Sequence, residues 1–515
     1  MSGYDLIVVG AGASGSVIAA RASEDPDRSV LLVEAGPTPR AAADFPAALL
    51  DGAQVPGARP TREHHWSYQV NLTEDRPYSV FRGRVLGGST STNGGYFVRA
   101  RHEDFADWAR IAGPSWSYNR VLPYLRGLES DRDYGDTAVH GATGPVPVQR
   151  ADLDSAASAA FVQAASELGH PFEADKNDQG NPGVGPVPLN VADGVRWNAG
   201  LAYVVPALVR PNLTVVGECT VRRIRFARSQ AVALDVQMGD RSQTIEAGEI
   251  VVCAGAFETP HLLLRSGVGP ADELRALGLP VVADRPGVGR RFSDHPQLVI
   301  DYSVPGPLPG PASGSWIGAS LNFRSSTGPA SGDLQILQSN VPMSVLTGHR
   351  SDPDGAPLPL LISALTPVST GRLRLASDDP GAPLIVDYRY LSTPGEVARL
   401  REATRAALDL LHSRAFAAVS CGPHDPDLTA AARDDASLDR WIRARLGTAL
   451  HASGTAPIGP ITNPTSVVDE FGKAHDLPGL RIADTSILPA APLRGPAATA
   501  VLIGEVIAAA LSDIK

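Results

Sequence analysis

The chain is poor in cysteine. Its 515 residues include three, Cys219, Cys253 and Cys421, so scattered that no C-x-x-C pair arises. That pattern argues against a disulfide framework and against a zinc site, no metal ligand set is expected, and a reducing compartment is implied. Basic charge is also scarce: 45 Lys and Arg stand against 55 Asp and Glu, a net charge of −10. Nucleic acid needs a basic face, so it is set aside as a partner. Long apolar runs are missing, none approaching the ~20 residues that span a bilayer. The chain starts almost directly on a strand, so no signal peptide is expected. The expected location is cytoplasmic, with any membrane association peripheral. No internal repeat is evident. Hydrophobic content of 43% and charged content of 19% are ordinary for a globular enzyme. The length suggests two domains, interleaved. Gly 51 and Pro 44 imply many loops and tight turns.

What the sequence does have is a glycine fingerprint at its start. The apolar run Leu6-Ile7-Val8-Val9 ends in Gly10-Ala11-Gly12-Ala13-Ser14-Gly15, and a small-residue helical stretch follows through Ala22. A second apolar run, Val30-Leu31-Leu32-Val33, ends on Glu34. This is a βαβ dinucleotide-binding unit. Gly10 permits the tight turn, Gly12 lets a pyrophosphate approach the backbone, and Gly15 lets helix and strand pack closely. The helix N-terminus offers N–H groups and a positive dipole end to phosphate. Glu34 is placed to accept hydrogen bonds from an adenosine ribose. The fingerprint alone does not separate FAD from NAD.

Farther along, residues 37–80 read as loop-rich because prolines interrupt them. The stretch 82–96, with its glycines and Ser/Thr run, can bring main-chain N–H groups close to a planar, oxygen-rich ligand. Residues 102–130 read as helical, 131–150 as loop, and 154–168 and 197–210 as helices. Strands are expected at 213–216, 221–224, 232–236 and 249–253, the last running into a glycine turn at Ala254-Gly255. From about 300 to 446 the texture becomes that of an antiparallel sheet (298–304, 334–338, 360–365, 371–375) with a polar helix at 394–412. After His451 the glycine-rich style returns, with a strand at 480–484 and an apolar helix at 499–511. The predicted fold class is α/β. A discontinuous Rossmann-like dinucleotide domain (1–300, completed by 447–515) carries an α+β antiparallel-sheet substrate domain (301–446).

Read in order, these segments resemble the glucose–methanol–choline (GMC) family of flavoprotein oxidoreductases. Residues 83–93 resemble the first family signature, with Thr92 where an aliphatic residue is usual. Residues 255–269 resemble the second at every constrained position. Residues 287–296 resemble its G-V-G-x-N-L-x-D-H-P segment, 451–455 its H-x-x-G-T segment, and 480–489 its L-R-V-x-D-A-S-x-x-P strand. The resemblance implies FAD as cofactor. Gly10, Gly12, Ala13, Ser14, Gly15, Glu34 and Ala35 would hold its ADP half, with Val221 at the adenine. The isoalloxazine would rest on the loop of Arg84, Gly87, Gly88, Asn93, Gly94 and Gly95. Asp484 and Thr485 would lie near the pyrophosphate and ribityl chain, and Ala254 is a further expected cofactor-binding residue. Members that link the flavin covalently do so through a histidine at the position of Thr92, so non-covalent FAD is expected.

The resemblance further implies oxidation of an alcohol, with the hydroxyl proton taken by a histidine and the carbinol hydride passed to flavin N5. His451 is the expected catalytic base. His295 and His261 read as structural, while His64 and His65 could edge a substrate entrance. One departure stands out: the second catalytic His or Asn of the family is Gly495 here. Three readings remain open: another residue such as Arg494 fills the role, His451 acts alone, or the glycine makes room for a bulky substrate. The stretch Asn93–Ala100 is similar to the branch of the family encoded with the mycofactocin system. That likeness implies mycofactocinol as alcohol substrate and a respiratory-chain or other electron acceptor. The alternatives are a small-alcohol dehydrogenase or oxidase of the choline or aryl-alcohol type, a hydroxynitrile lyase with non-redox FAD, and a non-catalytic flavin protein.

Overall fold

The computed structural model describes residues 3–512 other than 307, 309, 311–313, 330, 349–354, 367 and 380. Strand β1 (Tyr4–Val9), helix α1 (Ala13–Ala22) and strand β2 (Val30–Val33) open the chain. β1 pairs in parallel with β2, Val9 opposite Val33, and on its other side with the end of strand Arg241–Val252, Val9 opposite Val252. Leu213–Val216 extends the sheet beyond β2, and Leu480–Ile482 extends it beyond Val252. The central strands bury both faces, which is why they read as continuous apolar runs. The near half of Arg241–Val252 leaves this layer and pairs antiparallel with Gln230–Met238, itself paired with Cys219–Ala227.

The closing helix Ala497–Ser512 is buried along most of its length and lies against α1. Gly504 permits the approach, since a Cβ there would fall 2.7 Å from Val17 Cβ and 2.9 Å from the Ser14 carbonyl oxygen. Next to it, the Glu505 carboxylate accepts from Arg21 at 3.0 Å and from the Tyr203 hydroxyl at 2.8 Å, so its burial is compensated. The two ends of the chain are thus one packed layer. No helix among the described residues is long and apolar enough to cross a membrane.

A second, antiparallel sheet runs in the order Gly447–Thr448, Pro296–Tyr302, Leu358–Ala364, Leu334–Ser339, Ile317–Phe323, Val184–Pro186. One face carries Leu298, Ile300, Ile362, Leu360, Ile336, Leu334 and Leu321, all buried. Helices Pro394–His412 and Ala156–Glu167 pack on the sheet. The alternate positions carry a polar row: Gln297 faces Ser363, Ser363 faces Gln335, and Gln335 faces Asn322.

Several sequence expectations are corrected. Residues 37–80 are not all loop: His65–Thr73 and Arg76–Gly83 form a hairpin, with the Pro77-bearing strand at a sheet edge where no N–H is needed. The short strand Glu129–Asp131, at the end of the stretch read as helical, pairs with Val146–Arg150 in the stretch read as loop. The helix expected over 102–130 is two, His102–Ala112 and Tyr118–Gly127, broken where Gly113 (φ 139°) precedes Pro114. The 197–210 helix shrinks to a π-helical turn, Gly200–Val204, and the short Val205–Ala207 segment. Strand Ile317–Phe323 was not anticipated.

Overpacking the α1 contact tests this architecture. Gly504→Val should lower stability by about 1–3 kcal/mol, read as a reduced Tm; an unchanged Tm would show that the two helices are free to separate.

Candidate functional site

Two loops converge at the carboxyl ends of the parallel strands, where open α/β sheets bind ligands. In the first, Gly10 has φ +95° and a Cβ there would sit 2.5 Å from the Cys253 carbonyl oxygen. Gly15 has the same necessity for another reason, since its Cβ would fall 1.9 Å from the Gly10 carbonyl oxygen. Gly12 differs. A Cβ on it would meet no protein atom closer than 4.0 Å, so the space above it is open. Ala13 and Ser14 begin α1, whose first N–H groups have no partner within the helix. At the end of β2, Glu34 accepts from the Ala11 N–H through Oε2 and from the Gly36 N–H through Oε1, each at 2.9 Å. Burial raises its carboxyl to about 6 against those hydrogen bonds and the charge of Arg84. Each oxygen keeps a lone pair for a ribose hydroxyl. Ala35 links Glu34 to Gly36.

The second loop lies on the first. The Gly87 N–H donates to the Ala11 carbonyl at 2.7 Å, and a Cβ on Gly88 would come within 2.7 Å of Gly12 Cα. Arg84 places its guanidinium over the Trp66 ring at 5.1 Å, with Nε buried and without a hydrogen bond. Asn93 accepts the Gly95 N–H at 2.9 Å, and the Gly94 carbonyl accepts from Trp316 Nε1 at 2.8 Å. Ala254 precedes helix Gly255–Arg265 and abuts Gly10. Asp484 accepts from the Gly255 N–H (2.9 Å), the Thr259 hydroxyl (2.6 Å) and the Ser486 N–H (2.8 Å), which ties the returning chain to this end of the sheet. Thr485 donates to the Ala452 carbonyl at 3.0 Å. Val221 is half-buried at a register shift in its strand. An open space over glycine, N–H groups at a helix start and a paired acid fit the ADP half of a dinucleotide.

His451 stands where the antiparallel sheet meets this crevice. The preceding Leu450 adopts φ +64°, a conformation that side chains avoid, and Arg82 holds its carbonyl at 2.7 Å. Asp294 Oδ1 accepts the main-chain N–H of both His295 and His451, each at 2.7 Å. The two rings then meet edge to face, Nδ1 to Nδ1 at 2.9 Å. Burial, with the charge of Arg82 adding to it, lowers His451 to about 3, so the imidazole is neutral near pH 7. Its Nε2 points at Gly495, where a Cβ would lie 3.3 Å from Nε2 and 3.9 Å from Val98 Cγ1.

This arrangement gives His295 a ring contact that its structural reading did not anticipate; only its place in the D-H-P segment hinted at it. Arg494 does not take the place left at Gly495. It is fully buried, and its terminal nitrogens donate to the carbonyls of Gly332, Leu493 and Ser331. His65 accepts the Thr61 N–H and lies buried at the start of its strand. His261 contacts Glu258 within the Gly255–Arg265 helix. Elsewhere, Glu129, Asp131 and His140 bring ligand atoms within 4.8 Å of one another. Arg99 and Arg150 already pair with those acids. Burial opposes charge on His140, but its carboxylate partners prevail and raise it to about 10. The group is an ion-pair network centred on an imidazolium.

Residues 4–297 match the N-terminal family model described as GMC oxidoreductase, and residues 367–504 match the C-terminal one. An uncharacterised GMC-type oxidoreductase of Rhodococcus erythropolis is 39% identical, with 97% of each chain covered. A 5-(hydroxymethyl)furfural oxidase of Methylovorus sp. is 32% identical over 99% of this chain and 98% of that one. Among solved structures, pyridoxine 4-oxidase from Mesorbium loti superposes with a TM-score of 0.92 at 30% identity, covering 99% of this chain and 100% of that one.

The open space at Gly12 yields a test. Gly12→Ala places its Cβ no closer than 4.0 Å to a protein atom, so the chain should fold with an unchanged Tm when prepared without ligand, yet lose most of its bound flavin absorbance. Full flavin content would place the pyrophosphate elsewhere.

Proposed function

The chain belongs to the GMC oxidoreductase family, and on that premise we propose that it oxidises an alcohol with His451 as the group that takes the hydroxyl proton. It is an FAD-dependent oxidoreductase of the kind that acts on alcohol-type donors. FAD supplies the hydride acceptor; the protein aligns the alcohol and handles the proton. In this reading residues 1–300 and 447–515 hold FAD non-covalently and residues 301–446 cover the substrate. The observation that carries it is the placement of the His451 ring, held by Asp294 through the backbone and by His295 at Nδ1, with Nε2 turned to the gap at Gly495 and Val98.

His295 acts as a positioning residue. A base at Nε2 needs its proton on Nδ1; in this reading His451 Nδ1–H donates to His295 Nδ1, 2.9 Å away, which would fix that tautomer. Asp294 holds both rings through the backbone without making an ion pair with either.

We put a small alcohol first as substrate. Within the Asn93–Ala100 stretch that suggests mycofactocinol, Gly94 is accounted for by packing, because a Cβ there would fall 2.4 Å from Trp316 Cζ2. Mycofactocinol with a respiratory acceptor is the second reading, favoured by the room at Gly495.

Anaerobic mixing tests both. A simple alcohol such as benzyl alcohol should bleach the flavin. Bleaching by mycofactocinol alone would select the second reading, and no bleaching by either would bring the lyase and non-catalytic readings forward. His451→Ala should slow flavin reduction by about 10²–10⁴-fold while flavin stays bound. Because His451 is lowered from 6.5 to about 3, its neutral form persists as pH falls. The kcat/KM should therefore stay flat from about pH 8 to about pH 5, where an unperturbed imidazole would already be protonated. For His295, replacement by Leu should cost about a hundredfold in kcat, the scale of a misplaced catalytic group, and bring a new inflection into the pH profile. His295→Gln offers an acceptor oxygen and should recover most of the rate; no recovery would reduce His295 to packing.

A further inference from the structure

The polar face of the antiparallel sheet is not explained by proton handling or by the cofactor. Gln297, Ser363, Gln335 and Asn322 stand directly opposite one another on consecutive strands. Two inter-strand steps, from Gln297 to Gln335, span about 10 Å. The row begins near the paired histidines: His295 lies two residues before Gln297, just ahead of strand Pro296–Tyr302. Beside the polar row runs an apolar one, Val299 opposite Leu361, Leu361 opposite Leu337, with Trp316 in the same cluster. Gln297, Val299, Leu361 and Tyr96 are only half-buried, so protein does not seal this face.

The far end of the row has hydrogen-bond donors to spare. Asn322 is 0% exposed and Gln335 3%, and the amide nitrogen of each lacks a hydrogen bond. The Tyr96 hydroxyl lies 3.4 Å from Ser320 Oγ and within reach of Gln335. Arg494 reaches in from the residue beside Gly495. Its terminal nitrogens grip the carbonyls of Ser331 and Gly332, just ahead of strand Leu334–Ser339, and its Nε has no partner.

Charge points the same way. Neither Arg494 nor Arg101, both buried, forms an ion pair among the described residues, and each acts electrostatically on the other. Lys176 nearby is already neutralised by Glu173 at 2.6 Å. Asp104 is the remaining acid; burial raises its carboxyl to about 6, which leaves it ionised at pH 7, so it offsets one of the two guanidiniums and the field keeps a net positive sign. No acid lies on the row itself. A buried positive field with unpartnered donors is completed by an acceptor anion and is unsuited to a quaternary ammonium.

We propose that this row receives the far end of the substrate, and that this end bears a carboxylate. The substrate class is a hydroxymethyl compound with an apolar body, its alcohol at His451, its body against Val299, Leu361 and Leu337, and its carboxylate among Gln335, Asn322, Tyr96 and Arg494. This rests on the alcohol-oxidase reading above and adds the chemistry of the group that is not oxidised.

The test uses the flavin-loaded enzyme and three probes: 4-(hydroxymethyl)benzoate, benzyl alcohol and choline. In anaerobic flavin reduction the carboxylate should have an apparent Kd at least tenfold below that of benzyl alcohol, with choline weakest. Gln335→Leu and Asn322→Leu should each shrink that preference about tenfold, and Gln335→Glu should reverse it. Tm of each variant guards against misfolding. Benzoate, which has no alcohol to oxidise, gives a separate readout: its binding, followed by perturbation of the flavin spectrum, should weaken in the same variants. Preference for benzyl alcohol or choline, or equal weakening of all probes in the variants, overturns the carboxylate site while leaving alcohol oxidation standing. If no alcohol bleaches the flavin, the alcohol-oxidase reading fails, and benzoate binding still decides the row: loss in Gln335→Leu supports it, and no binding to the parent enzyme overturns it.

Discussion

One buried carboxylate oxygen brings the two halves of the site together. Asp294 Oδ1 accepts main-chain N–H groups from its own neighbour His295 and from His451, 157 residues later. Removing that acceptor would leave two buried N–H groups unpaired, each at a cost of about 1–3 kcal/mol. A reciprocal main-chain pair between Ser293 and Ser453, at 3.0 and 2.9 Å, continues the same seam. The ring contact between the histidines follows from the backbone seam; the rings do not create it. Asp294 also stays out of charge pairing with the rings. Burial raises its carboxyl to about 6, so its favoured use is as a hydrogen-bond acceptor to backbone.

Asp484 does the same for the cofactor side. It fastens the returning strand Leu480–Ile482 to the start of helix Gly255–Arg265 through three hydrogen bonds. The strand enters the parallel sheet beside Val252, and the closing helix then covers α1. The end of the chain therefore completes the layer its beginning starts. His451, lying between these two seams, is held from both sides. Its position is a property of the whole chain and of no single local element.

Much of this was legible in the sequence where backbone geometry dictates residue type. Gly10 and Gly15 are glycine because a Cβ would strike a carbonyl, and that necessity leaves a spacing that can be read without coordinates. The helix Pro394–His412 begins at Thr393, whose side chain accepts the Glu396 N–H, with Pro394 at its first position, and both are local signals. The hairpin of 65–83 was hidden by Pro77, because a proline is harmless on an edge strand and sequence does not say which strand is the edge. Strand Ile317–Phe323 escaped because Ser320 and Asn322 break its apolar pattern. They are polar on the face that turns toward the site, and the facing direction is set by partners far away in the chain. The contact of His295 with His451 was equally out of reach, since a seam joining residues 157 apart in sequence creates it.

The contrast separates two kinds of constraint. The dinucleotide crevice is built from main-chain groups and the absence of side chains, so almost any substitution there meets a carbonyl or fills the ligand's space. The antiparallel sheet is built differently. Its helix-covered face must stay apolar, because Leu298, Ile336 and Ile362 form the core. Its other face needs only residues that suit a strand and whatever lies against them. The row Gln297, Ser363, Gln335, Asn322 can therefore change without disturbing the seams at Asp294 and Asp484. On the proposed reading, the backbone seams hold the cofactor crevice and the His451 ring in place, while substrate choice rests on side chains that the fold leaves free.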